Sequence, residues 1–157
     1  ANVLCRRYIF WEVQLEHKLL KILEKVRTEV PGNIFTGIGV IVCDSLEYLP
    51  FLPMSDKSRV ISDVDVISKI VEGSLATNVN HDGFNILGKD FNLMYKNVFI
   101  SPPIAKDIEL DIDQGFGARY VAAILASKIE GVIVTAVVSN SYGIVIFKNG
   151  KVVNIND

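Results

Sequence analysis

Residues 80 to 97 read NHDGFNILGKDFNLMYKN, and the chain is best read outward from them. Apolar runs stand on either side of Gly88-Lys89-Asp90, which supplies the Gly and Asp of a tight turn, so residues 84 to 100 predict a β-hairpin. His81-Asp82-Gly83 stands at its entrance. A carboxylate there can reach a hard cation such as Mg²⁺ or Mn²⁺, and the missing side chain of Gly83 lets a ligand approach the backbone. An Asx-type turn with no ligand accounts for the same residues.

On the C-terminal side, SPPIAKDIELDIDQGFG (101–117) cannot hold regular structure across Pro102-Pro103. It carries four acids between Asp107 and Asp113, so an exposed loop is expected. ARYVAAILASK (118–128) has the alanines and spacing of a buried helix, entered through Gly115 and Gly117. GVIVTAVVS, GIVIFK and KVVNI (131–139, 143–148 and 151–155) predict three strands, the last two joined by Asn149-Gly150, a strong hairpin signal.

On the N-terminal side, Leu15, Leu19, Ile22, Leu23 and Val26 recur at steps of three and four, predicting an amphipathic helix over 8–30 that stops at Pro31-Gly32. TGIGVIVC (36–43) predicts a strand, and residues 44–58, with Pro50 and Pro53, a loop. A second helix is expected from the N-cap Ser62 to about Gly73, with Val64, Ile67, Ile70 and Val71 on one face. The sum is an α/β fold, a mixed central sheet flanked by helices, in a single domain over 1–157.

Composition narrows the function. Half of the 157 residues are hydrophobic and 22% are charged, a globular balance. The net charge is −2, and no Lys/Arg cluster extends beyond Arg6-Arg7, which argues against nucleic acid as a partner. The longest apolar runs fall far short of the roughly 20 residues that span a bilayer. Cys5 and Cys43 have neither metal nor disulfide spacing, and two buried thiols fit a reducing, cytoplasmic setting. The first residue is Ala, as in a fragment or processed form, so an anchor or partner domain upstream is left open.

With only two histidines, His17 and His81, a nucleophilic Ser/His/Asp or Cys/His system has little to draw on. Zinc spacings and the common nucleotide motifs are absent. A second candidate site lies at QGFGARYVAA (114–123), where a glycine-flanked loop meets a helix N-terminus whose free N–H groups and dipole favour an anion. Arg119 in the first turn adds a charge-assisted contact to phosphate. A capped core helix with a solvated Arg is the other reading of those residues.

Taken together, HDGF (81–84), GARYVAA (117–123) and VVSNSYGIVIFKNGK (137–151) resemble the diadenylate cyclase domain, whose D-G-A, G-T-R-H-R-A-A and V-S-E-E-T-G motifs occur in the same order. The resemblance runs from about Leu19 to Val153. It implies that two ATP are joined into cyclic di-AMP with release of two pyrophosphates, by two copies of the domain placed face to face in a homo-oligomer. It further implies that Asp82 holds the catalytic Mn²⁺ or Mg²⁺ and helps activate the ribose 3′-hydroxyl. Gly83 and Phe84 would lie against the nucleotide, Gly117, Ala118, Arg119 and Tyr120 along the phosphate loop, Ser139 near the sugar or phosphates, and the main chain near Ile100 at the adenine. The chain departs from the family at Tyr120 and Val121, which replace His and Arg, at Ala118, which replaces Thr, and at Asn140-Ser141, which replace two glutamates. These departures motivate an alternative, a catalytically silent domain that binds ATP or the cyclic dinucleotide and regulates a partner. A plain structural or oligomerisation domain, with Asp82 a turn residue, is a third reading.

Overall fold

The computed structural model describes residues 2–61 and 65–153. Its frame is a seven-stranded mixed sheet covered on both faces. α1 (Asn2–Glu29) buries Leu15, Leu19, Leu23 and Val26, one stripe at steps of three and four. It begins well before the predicted residue 8. Leu4, Tyr8 and Trp11 continue the spacing of that stripe toward the N-terminus, and they remain exposed together with Ile9 and Phe10.

The strands are β1 (Ile38–Cys43), β2 (Phe51–Pro53), β3 (Phe84–Gly88), β4 (Leu93–Ile100), β5 (Val132–Ser139), β6 (Gly143–Lys148) and β7 (Lys151–Val152). They lie in the order β2-β4-β3-β1-β5-β6-β7. β1 is central, parallel to β3 and antiparallel to β5, and every one of its residues is buried. That explains its uninterrupted apolar run, since a strand covered on both faces has no polar side. Val40 and Val42 pack against α1 and α2 (Val66–Gly73), whereas Ile41 and Cys43 pack against α3 (Ala118–Ala126) on the other face.

The hairpin forms as expected, β3 pairing antiparallel with β4, with the Gly88 N–H donating to the Asn92 carbonyl at 3.0 Å. Other expectations need correction. Asp65 is the N-cap of α2, accepting from the N–H groups of Ile67 and Ser68; the proposed cap Ser62 and Val64 lie outside the described residues. Residues 51–53, expected in a loop, form the edge strand β2 against β4, where Pro53 is tolerated because an edge leaves one side unpaired. The 101–117 segment is not simply exposed. Ile108, Leu110 and Phe116 pack against the core beside α3, and Ile112–Gln114 make a 3-10 turn. β7 stops at Val152, and residues 154 and 155 of the expected strand lie outside the described residues. Cys43 is buried but Cys5 is exposed, so only one thiol is sequestered. Among the described residues no helix is long and apolar enough to cross a membrane.

Candidate functional site

The turn before β3 and the first turn of α3 meet at one end of the sheet. Three backbone segments converge there, ending at Thr36, at His81 and at the start of α3. Arg119 joins them: Nη1 donates to the Thr36 carbonyl at 3.0 Å and Nη2 to the His81 carbonyl at 3.1 Å. The room for this comes from Gly37, where a Cβ would stand 2.3 Å from Arg119 Nη1. Burial pushes the guanidinium below its ordinary value, while Tyr142 and Asp82 nearby pull it back up. It stays a cation at neutral pH, with Nε buried and unpartnered.

A cleft of about 310 Å³ opens beside this arginine. Asp82, Gly83 and Phe84 form one wall, Ala118, Arg119 and Ala122 of α3 a second, and Val98, Phe99 and Ile100 of β4 a third, with Met54 at the rim. Its lining is mostly apolar with one carboxylate and one cation, the composition of a small-molecule site. Gly83 is required by space. A Cβ there would lie 2.6 Å from the backbone carbon of Asn97 and 2.8 Å from the Met54 methyl. The N-cap of α3 is Gly117, which has φ +85° and gives no side-chain cap, so the first N–H groups of the helix are left for another acceptor.

The structure therefore brings together Asp82, Gly83, Phe84, Ile100, Ala118 and Arg119. Three expected residues do not line the cleft. Gly117 adjoins it in sequence, at the helix cap. Tyr120 is 5% exposed and turned into the core, stacked on Phe116 at 4.0 Å and edge-on to Tyr142 and Phe147. Ser139 sits at the end of β5 with its hydroxyl 2.8 Å from that of Ser141. Met54, Val98, Phe99 and Ala122 were not expected in the site. Phe99, next to the end of β4 and paired with Leu52 of the edge strand β2, is 54% exposed, and nothing in the sequence pattern marks it as a site residue.

Among the described residues no three His, Cys, Asp or Glu side chains cluster as a metal cage. Asp82 is one exposed carboxylate, which suits a divalent ion held jointly with substrate phosphates, as Mg²⁺ commonly is, and does not suit an all-protein site. A larger cavity, about 950 Å³, lies elsewhere, lined by Tyr8 and Trp11 of α1 and by Lys128 and Lys148. It contains none of the expected site residues, and its acids and lysines include ion pairs such as Lys148 with Glu12. The smaller cleft is the better candidate because carboxylate, cation, close backbone and helix N-terminus coincide there.

No protein-family model and no curated protein matches the sequence. Solved structures do share its fold. A double mutant of DacA from Staphylococcus aureus is 16% identical, with a TM-score of 0.57 over 90% of this chain and 89% of that one. A hypothetical membrane spanning protein from Bacillus cereus is 18% identical, with a TM-score of 0.56 over 78% of this chain. This chain spans 56% of the Bacillus cereus chain. The sheet order, the helices on its two faces and these neighbours together identify a diadenylate-cyclase-like α/β fold.

Proposed function

We propose that the chain is a cytoplasmic diadenylate cyclase that binds ATP in the 310 Å³ cleft and joins two ATP into cyclic di-AMP across a pair of facing domains. One observation carries this: Asp82, Gly83 and Arg119 converge on a cleft at the start of α3, in a fold shared with DacA. Each ribose 3′-hydroxyl attacks the α-phosphorus of the opposite ATP, its proton passes to water, and pyrophosphate leaves in line as the bond between the α-phosphorus and the bridging oxygen breaks. A bound Mn²⁺ or Mg²⁺ would neutralise charge on the transferring phosphate.

Asp82 would hold that ion and help activate the 3′-hydroxyl. Gly83 and Phe84 bring backbone and ring against the nucleotide, and Ile100 offers its main chain to the base. Gly117 and Ala118 turn the free N–H groups of α3 toward phosphate. Arg119 has five N–H donors, of which two are committed to carbonyls, so a phosphate can still be met by the rest. Tyr120 acts through packing, seating that helix turn, and Ser139, outside the cleft lining, would meet the sugar or phosphates only where the ligand extends to the end of β5.

Incubation with ATP and Mn²⁺ followed by mass spectrometry tests the activity, with cyclic di-AMP and pyrophosphate as the expected products. A second reading, a silent module that binds ATP or cyclic di-AMP, is favoured by one observation: both terminal nitrogens of Arg119 already serve the protein's own carbonyls. Nucleotide binding without product would select it. Neither binding nor product would leave the third reading, a structural domain.

Replacing Arg119 by Ala is expected to weaken ATP binding by about 1.5–3 kcal/mol, the range for a hydrogen bond to a charged group. It is also expected to lower the unfolding midpoint, because the Thr36 and His81 carbonyls lose their donor. Titration calorimetry beside thermal unfolding separates the two effects. Unchanged affinity would remove Arg119 from the site. Specific activity should also fall on dilution, since one cleft holds one nucleotide and the ring needs two. Activity that stays flat well below micromolar protein, with a monomer in light scattering, would contradict the facing pair.

A further inference from the structure

Asn97 lies in β4 with φ +50°, a left-handed conformation rare for a residue with a side chain and tolerated best by Asn and Gly. It falls at a register shift between β3 and β4 and is only 6% exposed. Its Nδ2 donates to the Asn80 carbonyl at 2.8 Å and to the Gly73 carbonyl, at the end of α2, at 3.1 Å. Its Oδ1 is buried without a partner, and a Cβ on Gly73 would stand 2.4 Å from it. An unpaired buried oxygen and an uncommon backbone conformation are both unfavourable, and such features persist where surrounding structure over-determines them. The Asn80 carbonyl also accepts from the Gly83 N–H at 3.0 Å, closing the turn that carries Asp82. Asn97 and Arg119 thus grip two successive carbonyls of this turn, Asn80 and His81, from opposite elements.

We propose that Asn97 is a positioning residue of the candidate site: its amide fixes the Asn80–Gly83 turn to the end of α2 and so sets where Asp82 enters the cleft. The consequence for ligand binding rests on the nucleotide reading above; the consequence for the turn does not.

Asn97→Gly keeps the left-handed backbone and removes the donor, and Asn97→Asp keeps the shape but offers no N–H. In the nucleotide-free protein, both are expected to speed hydrogen exchange of the Gly83 amide by about tenfold, the scale of one lost hydrogen bond. The Leu87 amide, in the sheet core, serves as the reference for global stability. If ATP binds the wild type, its dissociation constant should rise about tenfold in both variants by the same reasoning. Gly83 exchange that tracks Leu87 in both variants would overturn the proposal. Faster Gly83 exchange with no ATP binding by the wild type would sink the nucleotide reading and leave the positioning role standing.

Discussion

Asp82→Asn is expected to lower cyclic di-AMP formation by at least about a hundredfold, the scale on which one charge-stabilising group acts in a transition state. Asn keeps the shape and the turn but loses the negative charge that, in the proposed reading, would hold a divalent ion against the phosphates. The residue is exposed, and surface substitutions away from special features usually change stability by less than about 0.5 kcal/mol, so thermal unfolding should be nearly unmoved. That separation is what makes the experiment informative. Mixing the variant with wild type should poison active pairs rather than dilute them, because in the proposed facing pair each ring closure needs both clefts. Wild-type turnover by Asp82→Asn would remove Asp82 from the chemistry.

Phe147→Ala is expected to cost about 3–5 kcal/mol of folding stability, the usual range for emptying a buried aromatic position. Phe147 is fully buried in β6, with Tyr120 edge-on above it at 4.7 Å. Tyr120 in turn stacks on Phe116, so the ring left behind loses its floor and the 101–117 segment its anchor. Because Tyr120 follows Arg119, a loosened first turn of α3 should also weaken ligand binding in the protein that remains folded. Urea unfolding gives the first quantity and calorimetry the second. A loss below about 1 kcal/mol would mean that the neighbouring side chains collapse into the space.

Much of this architecture is legible in the chain. The stripe from Leu15 to Val26, the all-apolar β1 and the Gly88 turn each carry their own periodicity, so helix, central strand and hairpin can be read from local pattern. Strand β2 carries none, because three residues at a sheet edge become a strand only through their pairing with Val98, Phe99 and Ile100. The sequence offers both Ser62 and Asp65 as good N-caps for α2, and in the structure Asp65 caps it, its carboxylate accepting from the Ile67 and Ser68 N–H groups. In the cleft, Asp82 and Arg119 were legible as types beside glycines. Arg119's use of two backbone carbonyls was not, since Thr36 and His81 stand 83 and 38 residues away from it. Tyr120 misled because it occupies a motif position while its ring belongs to the core.

The place of β1 bears on how the chain comes off a ribosome. Its parallel partner β3 is made 45 residues later, Gly39 pairing with Phe84, and its antiparallel partner β5 about a hundred residues later, Ile38 pairing with Val138. Until β5 has emerged, the most apolar strand of the protein keeps a bare edge, and Phe84 and Ile86 wait for an α3 that has not docked. Long-range pairing of this kind slows folding and leaves partly made chains prone to association. A nascent chain arrested before residue 132 should therefore be protease-sensitive and bound by chaperones, and one extended past residue 148 should become resistant once free of the exit tunnel.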